Sequence, residues 1–423
     1  MKSYLKRPAF RIAMTHLLSK KRQTIVAMLG VTFGIAIFIF QAGLMTGFQN
    51  MFIEQTVNTS ANVRIYNDVQ VAKKSIYSKT LSDTAQSWVL VRNQKPKDEE
   101  PRLKNGYQMM RIIENHPEVI GVSPFVGSQA IFNMGIAQVA GRVAGVDIER
   151  ENNTFNVEKY MIDGDLKRLV TTPNGVILGE GLAMKLGAAT GDIITVSSAK
   201  GSALQMRVVG IHKSGVVELD NSRAYINIRN AQKLLQVDGS YITDLNIKLK
   251  DINKAKALAA DWQKQFGYTA VDWETANANV FSVFKIQNMV TYLIITSILI
   301  VSGFGIFNIL MMIIYEKMPD IAILKATGFK DKDIRTIFLT ESLVIGIFGG
   351  LLGLIVGWGL QQIAGSVKMD IRGFVAMEYL KFNTSAGFYA MAYIFGLVAT
   401  ALAGYIPARK AARVDAIDII RSK

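Results

Sequence analysis

QTIVAMLGVTFGIAIFIFQAGLMTGFQNMFI, residues 23–53, runs for 31 positions without a charged side chain. An α-helix needs roughly 20 apolar residues to cross a hydrocarbon core, so this stretch reads as a membrane span with length to spare. Three more uncharged apolar runs crowd the last third of the chain, at Ile286–Tyr315, Ser342–Val367 and Phe382–Ala408. The fold class that follows is an α-helical membrane protein with four transmembrane helices. Between the first two runs lie the 232 residues from Glu54 to Lys285. A connection of that length has to fold as a domain on one side of the membrane.

Basic residues near span ends are retained on the cytoplasmic side, which orients the chain. Residues 1–22 carry Lys2, Lys6, Arg7, Arg11, Lys20, Lys21 and Arg22. The connection 316–335 carries Lys317, Lys325, Lys330, Lys332 and Arg335, and the tail 409–423 carries Arg409, Lys410, Arg413, Arg421 and Lys423. Six acids accompany these 17 bases, so the three segments hold +11 of the formal +15. They are expected inside, with both termini; the domain 54–285 and the short loop 368–381 are expected outside. The spans are then 23–53, 286–315, 336–367 and 382–408. Charge placed this way expresses topology, whereas nucleic-acid binding calls for a basic face interleaved with aromatics on a soluble domain; no nucleic-acid partner is expected. The chain has no Cys, so the external domain must be stabilised by its own core instead of disulfides.

Within the external domain the apolar period alternates between two and 3.6. Strands are expected at Val63–Tyr66, Val119–Phe132, Val139–Val146, Val176–Leu178, Asp192–Ser197, Met206–Ile211, Arg223–Ile228, Leu245–Leu249 and Thr269–Trp273. Helices are expected at Glu180–Leu186, Ala231–Leu235 and Lys254–Phe266, giving a mixed α+β domain. Val71–Asn105 lacks periodicity and reads as an excursion.

Chemistry-bearing patterns are sparse. His16, His116 and His212 fall in three different segments, no Cys assists them as metal ligands, and each reads as structural or merely exposed. No G-x-x-x-x-G-K-[ST] phosphate loop occurs, so ATP and Mg are expected on a partner chain, with no cofactor or metal in this one. The glycines at Gly179, Gly181, Gly187 and Gly191 are turn and cap residues.

The inner connection is more specific. In Glu316-Lys317-Met318-Pro319-Asp320-Ile321-Ala322-Ile323-Leu324-Lys325-Ala326-Thr327-Gly328, Pro319 suits a helix first turn, Asp320 complements the positive end of its dipole, and Gly328 is placed to end it. A short helix lying under the membrane results. Ile321 and Leu324, with Ile323 a further candidate, would dock into a groove on a soluble partner, rimmed by Glu316, Lys317 and Lys325. A surface-lying linker without a partner fits the same residues.

At these residues the chain resembles the FtsX/MacB-like ABC permeases, whose inner "E-x-x-x-[DE]-I-A-I-L-[KR]-A-x-G" helix couples to an ATPase. Three further segments extend the resemblance over nearly the whole chain. Phe338–Gly357, with Glu341, Gly346, Gly349, Gly350, Gly353 and Gly357, is similar to the family's third span. Pro407–Ala416 is similar to its "P-A-R-[RK]-A-A-x-x-[DN]-P" tail, with Ala416 in place of the usual Pro. Leu178–Val196 is similar to its external "L-G-x-x-L-A-x-x-L-G-x-x-x-G-D" element. The resemblance implies a MacB-like periplasmic core domain, an inner-membrane location, and coupling to the ATPase through Glu316, Lys317, Asp320, Ile321, Ala322, Leu324, Lys325 and Gly328. It also implies two ATPase copies, a second permease chain (identical or paralogous) and a periplasmic carrier or adaptor.

Among its branches, a four-span chain with a large external domain and no fused ATPase looks most like the lipoprotein-release permeases LolC and LolE, which extract acylated lipoproteins from the inner membrane. Tripartite efflux of the MacB or glycolipid type is the rival within the superfamily; a non-transporting scaffold or sensor of the FtsX type is the rival outside transport.

Withdrawing a lipid anchor from a bilayer forfeits about 0.8 kcal/mol per CH₂, so extraction calls for an apolar way-station and external work. Phe40, Leu44, Met45, Phe48, Met51 and Phe52 at the outer end of span one, with Met289, Tyr292 and Leu293 of span two, are the candidate walls, Met and Phe being adaptable apolar surfaces. Ordinary lipid-facing or helix-packing surface is the competing reading for each. Glu341, the one acid in an apolar run, is a functional candidate by default; its nearness to Arg335 favours pairing with a base at the inner end.

Overall fold

The computed structural model describes residues 8–68, 101–372 and 376–413. Most of the expected excursion 71–105 and the end of the tail motif, Val414 to Ala416, lie outside the described residues. Helices of seven or more residues are α1 (Pro8–Ser19), α2 (Lys21–Thr59), α3 (Gly106–Glu114), α4 (Ile148–Phe155), α5 (Glu180–Leu186), α6 (Ile228–Leu235), α7 (Ala255–Phe266), α8 (Ala278–Glu316), α9 (Met318–Ala326), α10 (Asp331–Ser366) and α11 (Ala386–Ala412). The strands are β1 (Val63–Tyr66), β2 (Val119–Met134), β3 (Ala137–Val146), β4 (Met161–Gly164), β5 (Gly175–Gly179), β6 (Ile193–Ser198), β7 (Ala203–His212), β8 (Arg223–Asn227), β9 (Asp244–Leu249), β10 (Thr269–Asp272), β11 (Lys368–Arg372) and β12 (Ala376–Tyr379). Two compact units emerge. One comprises Met1–Met51, Ser282–Asp370 and Glu378–Lys423; the other comprises Phe52–Phe281 with Ile371–Met377.

In the first unit, α2, α8, α10 and α11 are each long and apolar enough to cross a membrane. Glycine decides how closely α10 approaches its neighbours. A Cβ on Gly349, Gly353 or Gly357 would lie 2.9, 2.9 or 3.0 Å from the Cβ of Val31, Ile35 or Ile39 on α2. Both sets repeat every four residues, so one groove of small residues receives one ridge of β-branched ones. The other flank of α10 meets α11 in the same way, with Gly346 against Thr400 and Gly404 against Ser342. Helix α11 starts four residues after its apolar run does. The Asn383 N–H donates to the Gly43 carbonyl (2.9 Å), and a Cβ on Gly47 would meet the Lys381 carbonyl oxygen at 2.2 Å. The segment before the helix is thus laid extended along α2.

In the second unit the sheet order is β10-β1-β9-β2-β3-β8-β5-β7-β4, with β6 pairing β2 and β7. Alternation assigns Val63, Ile65, Val122, Val126, Val143, Ala224, Ile226, Leu245 and Ile247 to one face. They form a core closed by Met109, Met110 and Ile113 of α3, Ala231 and Leu234 of α6 and Trp262 of α7. The opposite face carries Arg64, Tyr66, Phe125, Arg142, Arg223 and Asp244. Part of it is covered by a smaller cluster around Ile148 and Phe155 of α4, Val157, Leu169 and Tyr225.

The expected strands are present, several longer than their apolar runs suggest. Helices α3 and α4 and strand β4 were not anticipated. Helix α4, IERENNTF, is short and largely polar; Asp147 caps it by accepting from the Arg150 N–H, and only Ile148, Glu151, Thr154 and Phe155 turn inward. The loop 368–381 holds the two-stranded sheet β11-β12.

Candidate functional site

The residues expected to couple to a partner converge at the basic end of the helical unit. Helix α9 has Pro319 in its first turn, where a missing N–H costs nothing, and Asp320 beside it is paired with Lys317 at 2.8 Å. Its end is set by Gly328, whose φ of +100° favours glycine. Beyond it the Phe329 N–H donates to the Leu324 carbonyl (3.0 Å), closing a Schellman-type cap.

The structure corrects which side of this helix can face a partner. Ile321, expected at the docking surface, and Ala322, expected among the coupling residues, are each only 1% exposed. Ile321 packs among Ala13 of α1, Ile313 and Ile314 of α8, Ile334, Ile337 and Phe338 of α10, and Ala408 and Ala411 of α11, with Leu324 at the edge of the cluster. Lys325 also turns inward, donating to the Ala412 carbonyl (2.7 Å) and pairing with Asp331 (2.8 Å). Helix α9 is apolar on nearly every side, so its pattern selects no face; the side that meets the converging helix ends wins because it removes most apolar surface from water. Outward lie Asp320, Ile323 (59% exposed), Ala326, Thr327 and Gly328. Glu316 is held by Lys20 at 2.6 Å and Gln23 at 3.2 Å, tying the end of α8 to the start of α2.

Glu341 is fully buried, and its Oε1 lies 2.8 Å from His16 Nδ1. The nearby base at the inner end is therefore His16 of α1, and the imidazole also stands 6.3 Å from the Phe338 ring. Sequence reasoning missed this pair. The available signal was the helical recurrence of Ala9, Ile12, Ala13, His16 and Leu17, which places His16 on the packed face of α1. His116 stacks edgewise on Trp262, and His212 is buried against Tyr225. Among the described residues no group of three His, Cys, Asp or Glu side chains is placed to hold a metal ion.

The candidate apolar walls are not gathered into one surface. Phe40 packs on Phe382 (5.4 Å between centroids) and Phe48 on Phe284 (6.1 Å). Leu44, Met45 and Met51 are half-buried. Met289, Tyr292 and Leu293 share an outward face of α8, each at least 60% exposed. Phe52 is buried and belongs to the other unit.

That unit holds a group of ionisable residues in which Glu151 of α4 joins His212, Asp220 and Arg223, a meeting that no sequence spacing signals. Burial pushes the Glu151 carboxyl up to about 7, against the opposing pull of Ser123 and Arg223. Burial, aided by the Arg223 charge, brings His212 down to about 4. Burial raises Asp220, whose carboxylate accepts from the N–H and the hydroxyl of Ser214 (2.8 and 2.7 Å).

Residues 24–265 match the MacB-like periplasmic core domain, and residues 292–416 match the FtsX-like permease C-terminal region. The lipoprotein-releasing system transmembrane protein LolC of Neisseria meningitidis serogroup B is 26% identical, over 97% of this chain and 98% of its own length. The lipoprotein-releasing system transmembrane protein LolE of Haemophilus influenzae is 22% identical, over 98% of this chain and 99% of its own. The macrolide export ATP-binding/permease protein MacB of Escherichia coli is 22% identical over 99% of this chain, which spans 61% of MacB.

Proposed function

From the premise that the chain belongs to the MacB-like periplasmic core domain family and carries an FtsX-like permease region, we propose that it is the permease subunit of an ABC transporter that releases acylated lipoproteins from the inner membrane. ATP and Mg are held by a separate ATPase, present in two copies, and a second permease chain completes the complex. The basic ends of the spans lie in the cytoplasm with both termini, and the large domain lies in the periplasm, where a carrier or adaptor receives the cargo. The near end-to-end similarity to LolC supports the cargo assignment.

One observation carries the coupling role. Helix α9 has one face sunk among the ends of α1, α8, α10 and α11 and an opposite face open from Asp320 to Gly328. A push on the open face is delivered to every span that ends there, because close-packed interiors transmit displacement instead of absorbing it. Work delivered this way moves the spans and, through them, the periplasmic domain, without a pore. A single cysteine at Ile323, in a chain that has none of its own, cross-links to the ATPase in at least one nucleotide state; no cross-link in any state would sink the docking assignment.

Efflux of the MacB type is the second reading, favoured by the match to MacB over nearly all of this chain. Mass spectrometry of the complex purified in native-like lipid decides between them. Co-eluting acylated polypeptides support release, and small amphiphilic compounds alone support efflux.

A further inference from the structure

A cleft of about 480 Å³ opens on the polar face of the sheet in the unit Phe52–Phe281. At its floor Arg142 and Arg223 are directly opposite one another in the parallel pairing of β3 with β8, so their side chains leave the same face. Like charges so placed repel. Arg64, which also lines the cleft, is neutralised by Asp244. Arg223 donates to the Tyr225 hydroxyl at 3.3 Å and feels the nearby Glu151 and Asp220 carboxyls, but among the described residues no ion pair engages either Arg223 or Arg142. Glu151 of α4 faces the same cleft; it is 5% exposed and its Oε2 has no hydrogen-bond partner. A buried polar atom left unpaired costs on the order of 1–3 kcal/mol, a cost that a bound ligand removes. Phe125, Phe155 and Trp273 supply apolar wall beside this polar floor.

We propose that this cleft binds the anionic group of a small amphiphile, a carboxylate or phosphate held between Arg142 and Arg223, with its apolar part against Phe125, Phe155 and Trp273. Paired guanidiniums match the oxygens of such groups, and charge-assisted bonds of this kind are the strong ones. Glu151 is the third donor. Because burial keeps its carboxyl protonated up to about pH 7, Oε2 offers a proton to the anion below that pH and repels it above. Of the other groups around Glu151, Tyr225 of β8 is engaged by Arg223. Arg223 and Asp147 act on Glu151 with opposite sign, and Ser123 of β2 faces it. Lys248 of β9 is committed to the Val57 carbonyl, and Glu158 to Asn152. His212 stays neutral down to about pH 4. The proposal stands independently of the transport reading.

The test is calorimetric titration of the full chain in phosphatidylcholine nanodiscs with benzoate, with phenyl phosphate, and with benzyl alcohol as the uncharged control. At least one acid is expected to bind saturably, and the tighter of the two identifies the headgroup as carboxylate or phosphate. Arg142→Ala, at an exposed position whose loss leaves folding intact, weakens that binding about tenfold or more. Benzoate keeps its charge across neutrality, so its affinity in the native chain falls as pH rises through about 7, whereas Glu151→Gln, which retains a donor, binds independently of pH. The site is refuted if neither acid binds, if benzyl alcohol binds as tightly, or if Arg142→Ala binds like the native chain. A Glu151→Gln chain that keeps the pH dependence overturns the role of Glu151.

Discussion

His16 Nδ1 lies 2.8 Å from Glu341 Oε1, joining the amphipathic helix that precedes the first span to the third span, at a carboxylate with no exposed surface. A buried carboxylate deprived of its partner is more costly than the pair is worth. Glu341→Ala and His16→Ala are each expected to destabilise the chain by about 2–4 kcal/mol, and the double variant by less than their sum, a coupling of about 1–3 kcal/mol in a double-mutant cycle. Additive losses in thermal unfolding in detergent would show that the two side chains do not act as a pair.

Gly353 admits Ile35 so closely that a Cβ would lie 2.9 Å from the Ile35 Cβ and 3.0 Å from the Thr32 carbonyl oxygen. Gly353→Leu should therefore separate α2 from α10 and cost about 3 kcal/mol. Gly359→Leu, on the same helix with nothing within 4 Å of its Cβ position, should leave the unfolding midpoint in place. Equal behaviour of the two variants would contradict the packing described.

Ile321 and Ile323 are two positions apart and should behave in opposite ways. Ile321→Ala, within the buried cluster, is expected to cost about 2–4 kcal/mol of stability. Ile323→Glu should leave unfolding unchanged while abolishing stimulation of ATP hydrolysis in the reconstituted complex. Normal stimulation by Ile323→Glu would place the contact elsewhere.

Two buried groups in the unit Phe52–Phe281 give opposing acid responses. An unfolded chain takes up a proton at histidine near pH 6.5, but native His212 accepts one only near pH 4. The unfolded state binds more protons between those values, so this group costs stability as pH falls from 6.5 towards 4. Glu151 acts the other way: the native carboxyl holds its proton up to about pH 7, the unfolded one releases it near 4.5, and stability is lost as pH rises between them. His212→Gln should hence gain on the native chain as pH falls from 6.5 to 4, by about 3 kcal/mol in total. Glu151→Gln should gain on it as pH rises from 4.5 to 7. Chemical unfolding followed through Trp262, buried in this domain's core, reads both; parallel curves for the variants and the native chain would refute the burial described.

Much of this architecture is legible in the amino-acid order. Four long uncharged runs suffice to identify the helices of the membrane unit, and alternation locates strands such as Val63–Tyr66 and Leu245–Leu249 because one side of each meets the core. Pro319 and Gly328 bracket α9 by backbone chemistry alone. Where the order of residues is silent, more than one partner satisfies the local pattern. The run Ile321-Ala322-Ile323-Leu324 is apolar throughout, so periodicity is blind to which of its members is buried. The short polar helix α4 carries too few apolar positions to announce itself.

Sequence by itself determined the number of spans, the side on which positive charge collects, the presence of a large inserted domain and the limits of α9, because each depends on local composition, solvent transfer or backbone preference. Tertiary structure alone decided that Ile321 is sealed while Ile323 is open, that Glu341 meets a histidine 325 residues away, and that Arg142 and Arg223 share one face of a sheet. Those outcomes depend on which distant surfaces come into contact, and that is set by the packing of whole helices and the register of whole strands, which no single segment encodes.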